Sequence, residues 1–167
     1  PNIEIEKKDY IKTSDVNKKI FFYPAFPRVF KNFEIICETA KYFEKREDLE
    51  FVITISGNEN KYAKYIYNKY NYLKNLNFIG LLSREEVFDY YTKADSLIFP
   101  SKLETWGLPI TEFKEYSKPI FLSNLPYARE TIGSYDKVSF FNPYDSNELV
   151  ENISLYLDNN LKFEKIK

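Results

Sequence analysis

Apolar residues along this chain follow two rhythms, and the two alternate. Short unbroken runs of aromatic and β-branched residues are separated by stretches whose apolar positions recur every three or four residues. Ile20-Phe21-Phe22-Tyr23, closed by Pro24, predicts a first strand. From Lys31 to Glu47, the positions Phe33, Ile36, Cys37, Ala40 and Phe43 have helical spacing, with Asn32 expected as the cap. Phe51 to Ile55 reads as the next strand, stopped by Ser56-Gly57-Asn58, and 60–72 as a helix with tyrosines along it. Leu76 to Ile79 is a short strand closed by Gly80. Ser83-Arg84-Glu85-Glu86 has the serine and glutamate of a capping box, opening a helix to about Lys93. Strands at Ser96 to Phe99, Pro119 to Leu122 and Val138 to Phe141 then alternate with helices at 108–116, 127–132 and 146–157, the last capped by Asp145. This alternation predicts a doubly wound, Rossmann-like α/β domain, its parallel sheet covered on both faces.

Size and composition narrow the function. At 167 residues the chain fits one core, expected over 20–158, with a linker or the end of a preceding domain at 1–19 and a polar, solvated tail at 159–167. A net charge of −1 lacks the basic excess of a nucleic-acid binder. There is no histidine, which removes an imidazole base, a His–Cys metal site and a Ser-His-Asp triad. The single Cys37 sits on the apolar side of its helix and is expected to be a buried thiol; without a disulfide framework a reducing, cytoplasmic compartment fits. No apolar run reaches the roughly 18 residues of a membrane span, and the start has no signal-peptide pattern. Methionine is absent even at position 1, so a processed chain or an excised domain is expected. Heavy use of Lys, Asn, Ile, Tyr and Phe fits an AT-rich bacterial genome.

In a doubly wound sheet, ligands bind beyond the C-terminal strand ends where the strand order reverses. For an order 3-2-1-4-5-6, that point lies between the first and fourth strands. The loop after the first strand carries Arg28 and Lys31 near a helix start, as a diphosphate site or as two solvated cations. The loop after the fourth carries Glu104-Thr105-Trp106-Gly107-Leu108-Pro109, with Glu112 beyond it. Gly107 allows close backbone approach, and Pro109 suits a first helical turn. If all of 104–112 were helical, Glu104 and Glu112 would lie about 12 Å apart along the axis. Paired glycosidase carboxylates sit about 5–9.5 Å apart. The two glutamates are therefore expected to hold different parts of one extended ligand, or Glu112 is an ordinary surface residue of its helix. No Asp-x-Asp metal pair, Gly-x-Gly-x-x-Gly or Walker sequence is present.

Three segments in this order resemble the C-terminal, donor-binding domain of the GT-B glycosyltransferases of group 1 (family 4), which are retaining enzymes. They are Phe30-Lys31-Asn32, Asn77-Phe78-Ile79-Gly80 before the Ser-Arg-Glu-Glu helix start, and Phe99-Pro100-Ser101 through Glu112, which is similar to that family's Pro-Ser…Glu-x7-Glu signature. The resemblance implies Lys31 on the donor diphosphate and Glu104 against the transferred sugar. It also implies backbone around Thr105, Trp106, Gly107 and Leu108 on sugar and phosphate oxygens, Glu112 on the ribose, and Gly80 and Leu81 lining the base pocket. The donor is then a nucleoside diphosphate sugar, with no metal or other cofactor required. The acceptor, a glycan or a lipid-linked molecule, belongs to an N-terminal domain that this chain lacks, as does any peripheral contact with the inner face of the membrane. The family usually has Gly-Arg after the first strand, with the arginine five residues before the lysine. Here that position is Phe26, and Pro24-Ala25 replaces the glycine turn. Arg28 then stands in for the missing cation, or the grip rests on Lys31 alone.

The competing reading is a catalytically degenerate α/β module kept for nucleotide binding or scaffolding, supported by Pro24 and Phe26. A glycogen-type phosphorylase would need a lysine motif for pyridoxal phosphate, and a UDP-sugar epimerase of this fold a histidine; neither is found.

Overall fold

The structure is a computed structural model that describes residues 18–164. Its six strands are β1 (Lys19–Tyr23), β2 (Leu49–Ile53), β3 (Leu76–Phe78), β4 (Ser96–Phe99), β5 (Ile120–Ser123) and β6 (Val138–Phe141). They form one parallel sheet in the order β3-β2-β1-β4-β5-β6, so the order reverses between β1 and β4 as expected. The unbroken apolar runs follow from burial on both faces. Successive side chains point to opposite faces. Phe21 packs on Phe51, Phe121 and Tyr156, while its neighbour Phe22 packs on Tyr90 and Tyr91.

The helices are α1 (Phe33–Tyr42), α2 (Lys61–Tyr70), α3 (Arg84–Lys93), α4 (Leu108–Lys114), α5 (Pro126–Ile132) and α6 (Ser146–Leu157). The Ser83–Glu86 capping box opens α3, and the Asp145 side chain accepts from Asn147 N–H at the start of α6. Cys37 is buried on α1; burial pushes its thiol well up, and Glu34 and Glu38 add to the shift. α1 ends at Tyr42, well before Glu47, because Phe43 is its last apolar anchor and Glu44 to Asp48 offer nothing to bury. β2 stops at Ile53 because Thr54 turns its hydroxyl to the β1 loop, accepting from Ala25 N–H at 2.9 Å and donating to Ala25 O at 2.7 Å.

Asn32 does not cap α1. Its backbone is left-handed (φ 62°) and its side chain makes no cap hydrogen bond. Instead its Nδ2 donates to Pro100 O (3.0 Å) and Pro143 O (2.8 Å), tying the loops after β1, β4 and β6 together. The spacing of Phe33 marked where the helix begins, but the buried carbonyls of two distant loops claim the amide.

Lys118 donates to the carbonyls of Tyr91, Thr92 and Ala94 at the end of α3, and Lys114 to those of Thr131 and Ile132 at the end of α5. These are the groups a helix C-terminus leaves open. The stretch from Lys162 is not wholly a solvated tail. Glu164 N–H donates to Val138 O on the β6 edge (3.1 Å), and its carboxylate pairs with Arg129. The expected linker lies outside the described residues as far as residue 17, and Lys19 already belongs to β1.

Candidate donor site

The loops after β1 and β4 meet, and a set of hydrogen bonds ties them together. Lys102 N–H donates to Phe30 O (2.8 Å), and Ser101 Oγ donates to Phe30 O (3.3 Å) and Leu103 O (3.0 Å). Tyr23 donates from its hydroxyl to Lys31 O (2.8 Å), and Tyr127 donates to Ser101 O (2.5 Å). A single 3-10 turn, Val29–Lys31, points the lysine across the gap. There Lys31 Nζ forms an ion pair with Glu104 Oε1. Both side chains are largely enclosed, at 19 % and 13 % exposure. Tyr23 and Tyr127 lie beneath. Burial pushes both phenols up, and the Glu104 carboxylate adds to the shift.

Glu112 occupies a separate place. α4 begins only at Leu108, so 104–107 are non-helical and the two glutamates face different partners. Glu112 is 9 % exposed, not an ordinary surface residue. Its carboxylate takes both guanidinium arms of Arg84 and accepts from the Tyr91 hydroxyl at 3.0 Å. Burial raises the Tyr91 phenol, and Glu112 raises it further.

Between these elements opens a cleft of about 350 Å³. Pro24, Phe26 and Thr54 line it from the β1 and β2 ends, Leu81 and Arg84 from the start of α3, and Leu108 and Glu112 from α4. Lys31 and Glu104 are outside this lining, so they form a second station rather than part of one wall. Gly107 turns the chain between the stations with φ 83°. This left-handed conformation favours glycine; a Cβ there would also press on the tip of Ile110, 2.9 Å from its Cδ1. Trp106 donates from its indole N–H to Thr111 Oγ1 (2.8 Å) and accepts at its carbonyl from Thr131, which fixes this exposed loop.

Of the predicted residues, Leu81, Leu108 and Glu112 meet in the cleft, and Lys31 and Glu104 meet beside it. Thr105 and Trp106 are exposed on the connecting loop, and Gly80 begins the loop that carries Leu81 (φ 74°). Arg28 is exposed, its guanidinium 4.7 Å from the centre of the Phe26 ring, so it reaches the cleft only through that ring. Arg84, Tyr91, Thr54 and Tyr127 are additions that sequence reasoning missed. Among the described residues, no group of three His, Cys, Asp or Glu is placed to hold a metal ion, and no helix is long and apolar enough to cross a membrane.

The sequence profile of the glycosyl transferases group 1 family matches residues 4–167. This chain belongs to that family. A search of the curated proteins found no match. Among solved structures, the chain is similar to sucrose-phosphate synthase from Thermosynechococcus elongatus (18 % identity, 86 % of this chain, 37 % of that chain, TM-score 0.71). It is similar also to Anabaena HepE, solved in complex with UDP-glucose (16 %, 86 %, 40 %, TM-score 0.71). A third is the C-terminal domain of LpcC, a glycosyl transferase group 1 family protein from Francisella tularensis (18 %, 84 %, 75 %, TM-score 0.66). At these identities the likeness establishes the fold, the Rossmann-like half of a GT-B architecture. The chain spans 37 % and 40 % of the first two proteins' length.

Proposed function

We propose that this chain is the donor-binding half of a retaining glycosyltransferase. The whole enzyme transfers a hexose from a nucleoside diphosphate sugar to a glycan or lipid-linked acceptor, in bacterial surface polysaccharide synthesis on the cytoplasmic side of the membrane. The observation that carries this reading is the meeting of Lys31 with Glu104 at the β1–β4 switch point, beside a cleft that contains Glu112. In this reading Glu112 holds the ribose, and Leu81 and its backbone line the base. The Lys31 ammonium leaves Glu104 for the diphosphate, which frees the carboxylate for a sugar hydroxyl. The bond from the anomeric carbon to the diphosphate oxygen breaks with its electron pair on the diphosphate. Lys31 and the amides around Trp106 to Leu108 stabilise that charge. The acceptor hydroxyl forms the new bond and loses its proton in the half of the cleft supplied by the other domain. No metal is required. The UDP-glucose held by HepE supports this class of donor.

Calorimetry with UDP, GDP and ADP tests the reading. One of them binds the chain, and Glu112→Ala weakens that binding at least about tenfold, the value of a lost charge-assisted hydrogen bond, while thermal unfolding stays cooperative. Phe26 in the cleft, where the family places a cation, favours a second reading as a degenerate binding module. No binding by any of the three at millimolar concentration selects that reading.

A further inference from the structure

Arg84 is poorly explained by its own helix. It is the first residue of α3, where unpaired amides make the helix end positive and a cation is unfavourable. It is 65 % exposed, yet both guanidinium arms reach across to α4 and close on Glu112. An ionised carboxylate has about four acceptor positions. Arg84 fills two and the Tyr91 hydroxyl a third, so Glu112 retains roughly one. A ligand diol gripped through both hydroxyls needs two.

We infer that Arg84 is a latch on the diol subsite: it occupies Glu112 in the donor-free domain and must let go for the nucleotide ribose to be held. The inference rests on the reading of Glu112 as the ribose carboxylate. Tyr91, rooted in the core, stays and keeps the carboxylate oriented, whereas Arg84 is held at its exposed tip, by Glu112 and against the Phe88 ring. The release has a destination. The guanidinium already lies 5.1 Å from the centre of the Phe88 ring, one turn along α3, and can swing over that face into solvent. Arg84 is therefore a positioning residue that sets donor affinity by competition, not a ligand of the donor.

Removing the competitor tightens nucleotide binding by about two- to fivefold. The test is calorimetry with UDP, GDP and ADP on the wild-type chain, Arg84→Met, Arg84→Lys and Glu112→Ala, with a thermal unfolding scan of each. Arg84→Met binds the nucleotide more tightly than wild type although it melts slightly lower. Arg84→Lys, a cation without the fork, falls between them. A merely structural role moves affinity and melting downward together, and Arg84→Met that binds equally or more weakly than wild type overturns the latch alone. Binding that survives Glu112→Ala unchanged, or no binding by any of the four proteins, overturns the ribose reading and the latch with it.

Discussion

Asn32 is the test of whether the site is held by hydrogen bonds to loop carbonyls rather than by apolar packing. Its amide donates to Pro100 O and Pro143 O, both inside the protein, and its backbone sits at φ 62°. Truncation to alanine leaves two buried carbonyls without that donor, which costs about 2–3 kcal/mol together. Alanine in the left-handed region adds about 1 kcal/mol more. Glycine loses the same two bonds without that strain but adds about 0.5–1 kcal/mol of unfolded-chain freedom, so Asn32→Gly costs about 2.5–4 kcal/mol and Asn32→Ala about 3–4. Asn32→Asp, which turns an anion toward two carbonyls, is worse than either. Urea unfolding followed by circular dichroism reads this directly. At a slope of about 2 kcal/mol per molar urea, the midpoint falls by about 1–2 M for either variant. Asn32→Gly within about 0.5 kcal/mol of wild type would mean that water satisfies both carbonyls, and the three-loop tie would be refuted.

Two further perturbations follow from single features. Ser117, at φ 54° after α4, holds a non-glycine residue in the left-handed region. Relief of about 1–2 kcal/mol, less about 0.5–1 for glycine's freedom when unfolded, makes Ser117→Gly more stable by up to about 1.5 kcal/mol, and a lowered melting temperature would contradict it. Tyr23 and Tyr91 are fully buried, and burial with the nearby Glu104 and Glu112 carboxylates holds their phenols above the usual value of 10.0. Above that pH the unfolded chain releases protons that the folded chain keeps at these two phenols, and likewise at Tyr62, Tyr70, Tyr127 and Tyr135, which burial also raises. Stability is thus complete below about pH 10 and falls beyond it by about 1.4 kcal/mol per pH unit for each phenol. Urea midpoints that stay level between about pH 9 and 11 would show that these phenols ionise in the folded state.

The strands were legible because a parallel sheet buried on both faces demands continuous apolar runs such as Ile20 to Tyr23 and Leu97 to Phe99; their order was assumed from the fold class, and the structure has that order. That order alone put the two unusual loops side by side. Within them, residue types were legible and partners were not. Lys31 and Glu104 are 73 positions apart, and their pairing depends on a single 3-10 turn that no periodicity announces. Asn32 illustrates the same limit, since a cap and a three-loop tie use the same side chain and differ only in backbone sign. Arg84 did leave a trace. The capping box placed it on the first turn of a helix, where its charge is unfavourable, and such a local conflict points to a partner elsewhere in the fold. Glu112 is that partner. The Glu104–Glu112 segment thus gathers two cations from opposite sides, Lys31 at one end and Arg84 at the other. Each glutamate is matched by a cation. On the proposed function, a nucleotide sugar binds by exchange, its phosphates taking the lysine and its hydroxyls the carboxylates, and affinity is then set as much by the pairs that open as by the contacts that form.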